Sequence, residues 1–251
     1  SSCNFIVTNC DGIIGLTKSY QEKGLSIIQM LKSNGNTDST AFSIKFENDN
    51  FQGGVKGTMF MYGDALIGDD SQKDTATSSS YSNIANLGGG VYIATSGSEG
   101  AKMYMGYSDA DTTETLNGGI FYNYTKYSDH ESTYQSGCGG GVNVEYTSNG
   151  SDDNATLAIA SGKIAYNASE KNGGGVYLQT NSNTGWAKLS MTGGTIQGNK
   201  CGSGEWNYGA GVYVATSGVY NAEFFMGGSA VVSNDNDVWF DPSEASITIL
   251  S

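Results

Sequence analysis

Apolar residues in this chain come in short alternating beats separated by glycine-rich and polar runs. Val91-Tyr92-Ile93, Val142-Asn143-Val144, Val176-Tyr177-Leu178 and Val212-Tyr213-Val214 each set two aliphatic residues around one of a different kind. Successive side chains of a strand point to opposite faces, so the pattern predicts Val91 and Ile93 inward and Tyr92 outward. Each beat follows a glycine signature: Gly88-Gly89-Gly90, Gly139-Gly140-Gly141, Gly173-Gly174-Gly175 and Gly209-Ala210-Gly211, with a shorter copy at Gly53-Gly54-Val55. The valines at 55, 91, 142, 176 and 212 stand 36, 51, 34 and 36 residues apart, a period that belongs to solenoids and arrays.

The rest of the module repeats too. A second beat reads Met59-Phe60-Met61, Met103-Tyr104-Met105, Leu157-Ala158-Ile159, Leu189-Ser190-Met191 and Phe224-Phe225-Met226. A third reads Leu66-Ile67, Gly119-Ile120, Lys163-Ile164, Thr195-Ile196 and Val231-Val232, and closes on Asp69, Asn123, Asn167, Asn199 or Asn234. One module is thus three very short strands joined by turns. Such strands cannot bury a core as separate hairpins, but stacked on the next copy they bury one continuous apolar column. Glycine supplies positive φ and close backbone approach at the corners. The recurrent asparagine suits a left-handed corner, and stacked modules would set these asparagines one above another.

The chain divides into residues 1–52, an N-terminal cap with irregular first turns, and 53–251, a repeat domain with coils starting near 53, 88, 139, 173 and 209. In the first part Phe5-Ile6-Val7 reads as a strand. Ser19 and Glu22 have the form of a capping box before Leu25, Ile28, Met30 and Leu31, although Gly24 leaves a strand over Leu25–Met30 open. Either would cover the end of an apolar column, the role of an atypical terminal unit. Phe42-Ser43-Ile44-Lys45-Phe46 alternates and reads as an early coil strand. At the other end Val238-Trp239-Phe240 and Ile247-Thr248-Ile249-Leu250 read as two more strands around Asp241-Pro242, and the edge they leave would continue into further sequence or dock on a second copy. Variable lengths fall at set corners, as in 70–87, 124–138 and the insertion 106–117, which leaves the column intact and builds a surface on its flanks.

Composition agrees with this architecture: 37 glycines, one proline and no arginine among 12 basic residues. The net charge of −13 argues against nucleic acid and anionic membrane surfaces, both of which need a basic patch. No apolar run reaches the length of a membrane span. Cys3, Cys10, Cys138 and Cys201 match no zinc spacing. Cys3 and Cys10 could close a local loop, and a bridge between Cys138 and Cys201 is open, since both precede glycine signatures of modules two apart.

Gly88–Ile93, the run Lys188-Leu189-Ser190-Met191-Thr192-Gly193-Gly194-Thr195-Ile196-Gln197-Gly198-Asn199 and Asn236-Asp237-Val238-Trp239-Phe240 carry a family resemblance. Over about 53–241 the chain resembles bacterial glycine-rich repeat surface proteins of the right-handed parallel β-helix (pectin-lyase-like) group, which includes polymorphic outer-membrane proteins and adhesin passenger domains. Asn143 departs from it, standing where tyrosine is usual. The resemblance implies an all-β, right-handed parallel β-helix, exported and displayed at the cell surface, without catalytic residues.

The expected function is a non-enzymatic extracellular structural or adhesive rod that presents its loops to a protein or glycan partner, with end-to-end assembly into a filament as a variant. Loop aromatics Tyr81, Tyr127, Tyr134, Trp186 and Trp206 are the candidate contact residues, because aromatic faces stack on sugars and pack against proteins. Tyr92, Tyr177 and Tyr213 should share one face, and Phe60, Tyr104 and Phe225 the next, where cross-strand stacking serves the sheet itself. The alternative is a polysaccharide-cleaving hydrolase or lyase of the same fold. Asn36-Thr37-Asp38 and Asp69-Asp70 resemble polygalacturonase motifs, but the only histidine lies in Asp129-His130-Glu131 and no arginine is available as the base of a lyase. That reading requires Asp38, Asp69 and Asp70 to converge in a cleft. No cofactor is expected. Calcium is the one plausible ion, through Asp109/Asp111, Asp152/Asp153 or Asp235/Asp237, although none has EF-hand spacing.

Overall fold

The computed structural model describes residues 44–46, 57–69, 82–95, 100–127, 136–146, 154–181, 185–204, 207–216, 222–241 and 246–249. The strand and helix readings before Phe42, the glycine copy at 53–55, and Cys3 and Cys10 lie outside these residues.

The described residues form strands and turns only, and they hold no helix long and apolar enough to cross a membrane. The first sheet stacks Ile44–Phe46 (β1), Val91–Thr95 (β5), Val142–Tyr146 (β9), Val176–Thr180 (β13), Val212–Thr216 (β16) and Val238–Phe240 (β19). The second stacks Gly57–Met61 (β2), Ala101–Met105 (β6), Ala155–Ile159 (β10), Ala187–Met191 (β14), Glu223–Met226 (β17) and Ser246–Ile249 (β20). The third runs Leu66–Gly68 (β3), Gly119–Phe121 (β7), Lys163–Ala165 (β11), Thr195–Gln197 (β15) and Val231–Val232 (β18). A fourth, smaller sheet holds Asn83–Ala85 (β4), Asn123–Thr125 (β8) and Ala168–Ser169 (β12). In three passes the three-strand module read from the sequence therefore gains a fourth short strand, which begins at the corner asparagine (Asn83, Asn123) or just after it (Ala168). Neighbouring strands are parallel, and each pass of the chain visits the sheets in the same order.

Register follows the apolar beats. Val91, Val142, Val176 and Val212 are consecutive partners across the first sheet, and none is exposed. Met103, Leu157, Leu189 and Phe224 align likewise in the second sheet, and Ile67, Ile120, Ile164 and Ile196 in the third. These residues join one buried cluster running through successive passes. The partner of Val91 on its other side is Ile44, not Val55. The clean alternation over 42–46, rather than the glycine signature at 53, marks the strand that begins the first described pass.

The glycine signature works through contact between backbones. Gly173 has φ +65°, and a Cβ on Gly174 would lie 2.6 Å from the Ala210 carbonyl oxygen. Amides of one signature donate to carbonyls of the next, as from Gly174 to Gly209 over 3.1 Å and Val176 to Gly211 over 2.9 Å.

At the opposite corner a buried asparagine ladder joins the passes. Asn123 Nδ2 donates to Asn167 Oδ1 (2.9 Å), Asn167 Nδ2 to Asn199 Oδ1 (3.0 Å) and Asn199 Nδ2 to Asn236 Oδ1 (2.9 Å). Each backbone N–H donates to the same oxygen. Two sequence assignments change here. The ladder starts from Asn83, whose Nδ2 donates to Asn123 Oδ1 over 2.6 Å, and not from Asp69, whose N–H pairs with the Phe121 carbonyl. It ends at Asn236 and not at the exposed Asn234, because a turn closed by the Asn236 amide on the Ser233 carbonyl shifts the last copy by two positions. The left-handed residue is also not the asparagine but the one before it: Tyr122 (φ 52°), Tyr166 (φ 58°) and Gly198 (φ 62°).

The insertion 106–117 leaves the column undisturbed. It departs after Met105, forms a small loop with Tyr107 bridged to Thr113, and returns through Leu116, which is buried in the core. Ser161 Oγ holds the return by accepting from the Leu116 N–H and donating to the Glu114 carbonyl.

Candidate functional site

Alternation that sends the valines inward sends Tyr92, Asn143, Tyr177, Tyr213 and Trp239 outward on the first sheet, in one register line. Two residues further along the strands a second line holds Ala94, Glu145, Gln179 and Ala215. Tyr177 and Tyr213 stack at 5.4 Å between centroids with planes 8° apart. Tyr208, which leads into the last glycine signature, stacks on Trp239 at 4.1 Å. The expected tyrosine face therefore exists, interrupted at Asn143.

Much of this face is closed. Asn143, Glu145, Tyr177 and Gln179 are all buried. Tyr177 Oη donates to Gln179 Oε1 over 2.9 Å, and Gln179 Nε2 donates to Asn181 Oδ1 over 2.7 Å. Tyr92 Oη donates to Glu145 Oε2. Burial, with Cys138, Tyr213, Glu145 and Asp241 nearby, holds the Tyr177 phenol well above its usual range. The Asn143 amide is fully buried, and neither its oxygen nor its nitrogen has a hydrogen-bond partner among the described residues.

Cys138 packs with Tyr177, Tyr213, Ala215 and Tyr208 under the same corner. It and Cys201 are free thiols, so the bridge left open by the sequence does not form. Gly139 N–H donates to the Asn172 carbonyl and Gly173 N–H to that of Tyr208. The position two passes on from Cys138 thus belongs to Tyr208, and Cys201 lies seven residues before it in a longer loop.

The second outer face is less aromatic than expected. Phe60 and Tyr104 stack at 5.1 Å, but Ala158 and Ser190 follow in register before Phe225. Lys188 Nζ sits 4.3 Å over the Phe225 ring and 3.7 Å from Glu223 Oε2.

Among the loop aromatics, Tyr81, Tyr134 and Trp206 lie outside the described residues. Tyr127 is exposed at the foot of the 124–138 loop. Its N–H donates to Glu170 Oε2, Tyr124 Oη donates to Glu170 Oε1, both over 2.7 Å, and Lys171 Nζ lies 3.8 Å above its ring. Trp186 is half-buried at the entry to β14, its N–H donating to Asn154 Oδ1 over 3.0 Å. Tyr127 follows the fourth sheet and Trp186 precedes the second, so the two stand at different corners. The face around Asn143 was signalled in the sequence only by one asparagine where its sister modules carry tyrosine.

The acidic pairs are engaged in turns. Asp109 Oδ1 accepts from the N–H groups of Asp111 and Thr112, which hold its carboxyl below the usual range. Asp235 Oδ2 accepts from Gly198 N–H, and Asp237 accepts from Gly209 and Ala210 N–H. Asp152 and Asp153 lie outside the described residues. Among those described, no three His, Cys, Asp or Glu side chains are grouped to hold a metal ion. Of the three acids required for glycan hydrolysis only Asp69 is described.

Compared with protein-family models, with curated proteins and with solved structures, the chain matches none.

Proposed function

We propose that the chain is a right-handed parallel β-helix that serves as a non-enzymatic surface rod, presenting its variable flanking loops to a protein or glycan partner outside the cell. The observation that carries this reading is the separation of an invariant column from variable flanks. Insertion 106–117 enters and leaves the coil while Met105 and Gly119 keep their partners Ile159 and Lys163 in the next pass. A scaffold that tolerates such insertions displays different loops without altering its core. The acidic charge suits a soluble display surface, and the resemblance to glycine-rich surface proteins points to the same role.

The test uses the intact 251-residue chain on glycan and protein arrays, with electron microscopy of the same preparation for single rods or fibres. Reproducible capture of one ligand class, without release of reducing ends or unsaturated products from polysaccharides, supports the reading. Turnover of a polysaccharide overturns it in favour of a β-helical hydrolase or lyase.

A further inference from the structure

Asn143 opens a gap in an aromatic row. Tyr92, Asn143 and Tyr177 are consecutive register partners on the outer face of the first sheet. Strands in a sheet lie about 4.8 Å apart, so the backbones carrying Tyr92 and Tyr177 stand roughly 9.6 Å apart with no ring on the strand between them, and the interval is closed in the structure, where Asn143, Glu145 and Tyr177 are buried. Tyr177 and Tyr213, on adjacent strands, stack across a single interval at 5.4 Å.

The gap is polar inside. Asn143 contributes a fully buried amide whose donor and acceptor both lack partners among the described residues, a costly arrangement that native proteins rarely leave uncompensated. Glu145, two residues along the same strand and buried, accepts from the Tyr92 hydroxyl, so the Tyr92 ring leans across from its own strand towards β9. Cβ of Asn143 packs close under Gly139, which fixes the floor: a Cβ on that glycine would meet it at 2.8 Å.

We propose that this gap is a binding site for a neutral sugar ring, entered when the Tyr92 hydroxyl releases Glu145. The inference rests on the surface-rod reading and names a ligand class for it. A pyranose has an apolar C–H face to lie against tyrosine and hydroxyls that both donate and accept, as the amide and Glu145 require. An aromatic side chain of a partner protein would fill the space but leave the Asn143 amide unpaired. An anionic sugar would set a second carboxylate beside Glu145. The floor lies on a strand paired on both sides, so the amide is held in place before a ligand arrives.

The experiment titrates the intact, nitrogen-15-labelled chain with methyl β-glucoside, methyl β-galactoside, N-acetylglucosamine and their tetramers. Saturation transfer from tyrosine ring protons reports stacking, and the Asn143 side-chain resonance, identified by its loss in Asn143→Leu, reports the amide. The expected result is transfer to at least one sugar with a shift of that resonance. Asn143→Leu keeps the volume and removes both polar atoms, and should weaken binding about tenfold or more without lowering thermal stability. Asn143→Tyr should complete the aromatic row and abolish binding, and Tyr92→Phe should tighten it. No transfer to any sugar overturns the proposal, as does binding that both Asn143 variants leave unchanged. In that last case the rod still binds glycan elsewhere, so the surface-rod reading survives while this site falls.

Discussion

Asn123 gives two hydrogen bonds to a single atom of Asn167: its side-chain Nδ2 donates to Asn167 Oδ1 over 2.9 Å, and its backbone N–H donates to the same oxygen over 3.0 Å. Asn167 repeats the pattern towards Asn199, while its own Nδ2 also satisfies the Ile120 carbonyl over 2.9 Å. At the corner between the third and fourth sheets the ladder thus offers each asparagine N–H a side-chain oxygen of the next pass as its acceptor.

Asn167→Ala should therefore be among the most damaging substitutions in the chain. It takes the acceptor from the N–H and Nδ2 of Asn123 and a donor from the Ile120 carbonyl in a buried setting, leaving Nδ2 only its 3.3 Å bond to the Ile67 carbonyl; each lost bond costs about 1–3 kcal/mol. A total loss of roughly 3–6 kcal/mol is expected in urea unfolding. Asn236→Ala takes the same acceptor from the N–H and Nδ2 of Asn199 and a donor from the Asn199 carbonyl, so it should cost a comparable amount. A loss below about 1 kcal/mol for either variant would mean that the ladder does not hold the passes together.

The residue ahead of each ladder asparagine sets up a different dependence. Tyr166 is left-handed and stacks on Tyr122 at 5.3 Å. In the next pass the same place is Gly198, where an added Cβ would lie 2.5 Å from Tyr166 Cε1. Gly198→Ala combines a clash with positive φ and should cost about 2–4 kcal/mol. Pairing it with Tyr166→Gly removes the clash but not the strain, so a double-mutant cycle should show a coupling of about 1 kcal/mol or more. Strict additivity would place the whole cost in the backbone.

Equivalent positions in the glycine signature should differ sharply. A Cβ on Gly174 meets two carbonyl oxygens, Lys200 and Ala210, which are backbone and cannot give way. One pass later the chain already carries Ala210, whose N–H is taken by Asp237 Oδ1 rather than by another glycine signature. Gly174→Ala is expected to lower stability by more than about 3 kcal/mol, and Ala210→Gly by about 1 kcal/mol or less. Thermal unfolding of the two variants side by side decides the matter.

The column was legible because a strand's period of two leaves little choice once one face must be apolar: Val91, Val142, Val176 and Val212 fall into line as their alternation requires. What escaped was anything that depended on counting residues through a turn. Asn234 and Asn236 are equally good ladder residues by type, and only the turn at Ser233 selects the second. Val55 follows a glycine pair, yet Ile44 is the partner of Val91, because the alternating run and not the glycine pair marks the strand. The face at Asn143 was legible as a departure from a pattern. Its meaning depended on burial and on the reach of Tyr92 to Glu145, neither of which a sequence displays.

Alkaline pH should weaken the fold in a definite order. Burial raises the Cys138 thiol from 9.0 to about 11, against smaller lowering by the Asn172 backbone and Lys171, and raises Tyr213 from 10.0 to about 12. Both groups are neutral when protonated, and the folded state holds the proton more tightly than the unfolded one. Their contribution is therefore complete below the unfolded values. It is lost as pH rises, first between 9 and about 11 for Cys138 and then between 10 and about 12 for Tyr213. For Cys138 the full loss is on the order of 2–3 kcal/mol. Urea midpoints measured from pH 7 to 11 should fall from about pH 9 upward, and Cys138→Ala should remove the earlier part of that fall. An unchanged profile in the alanine variant would show that Cys138 does not resist ionisation in the folded protein.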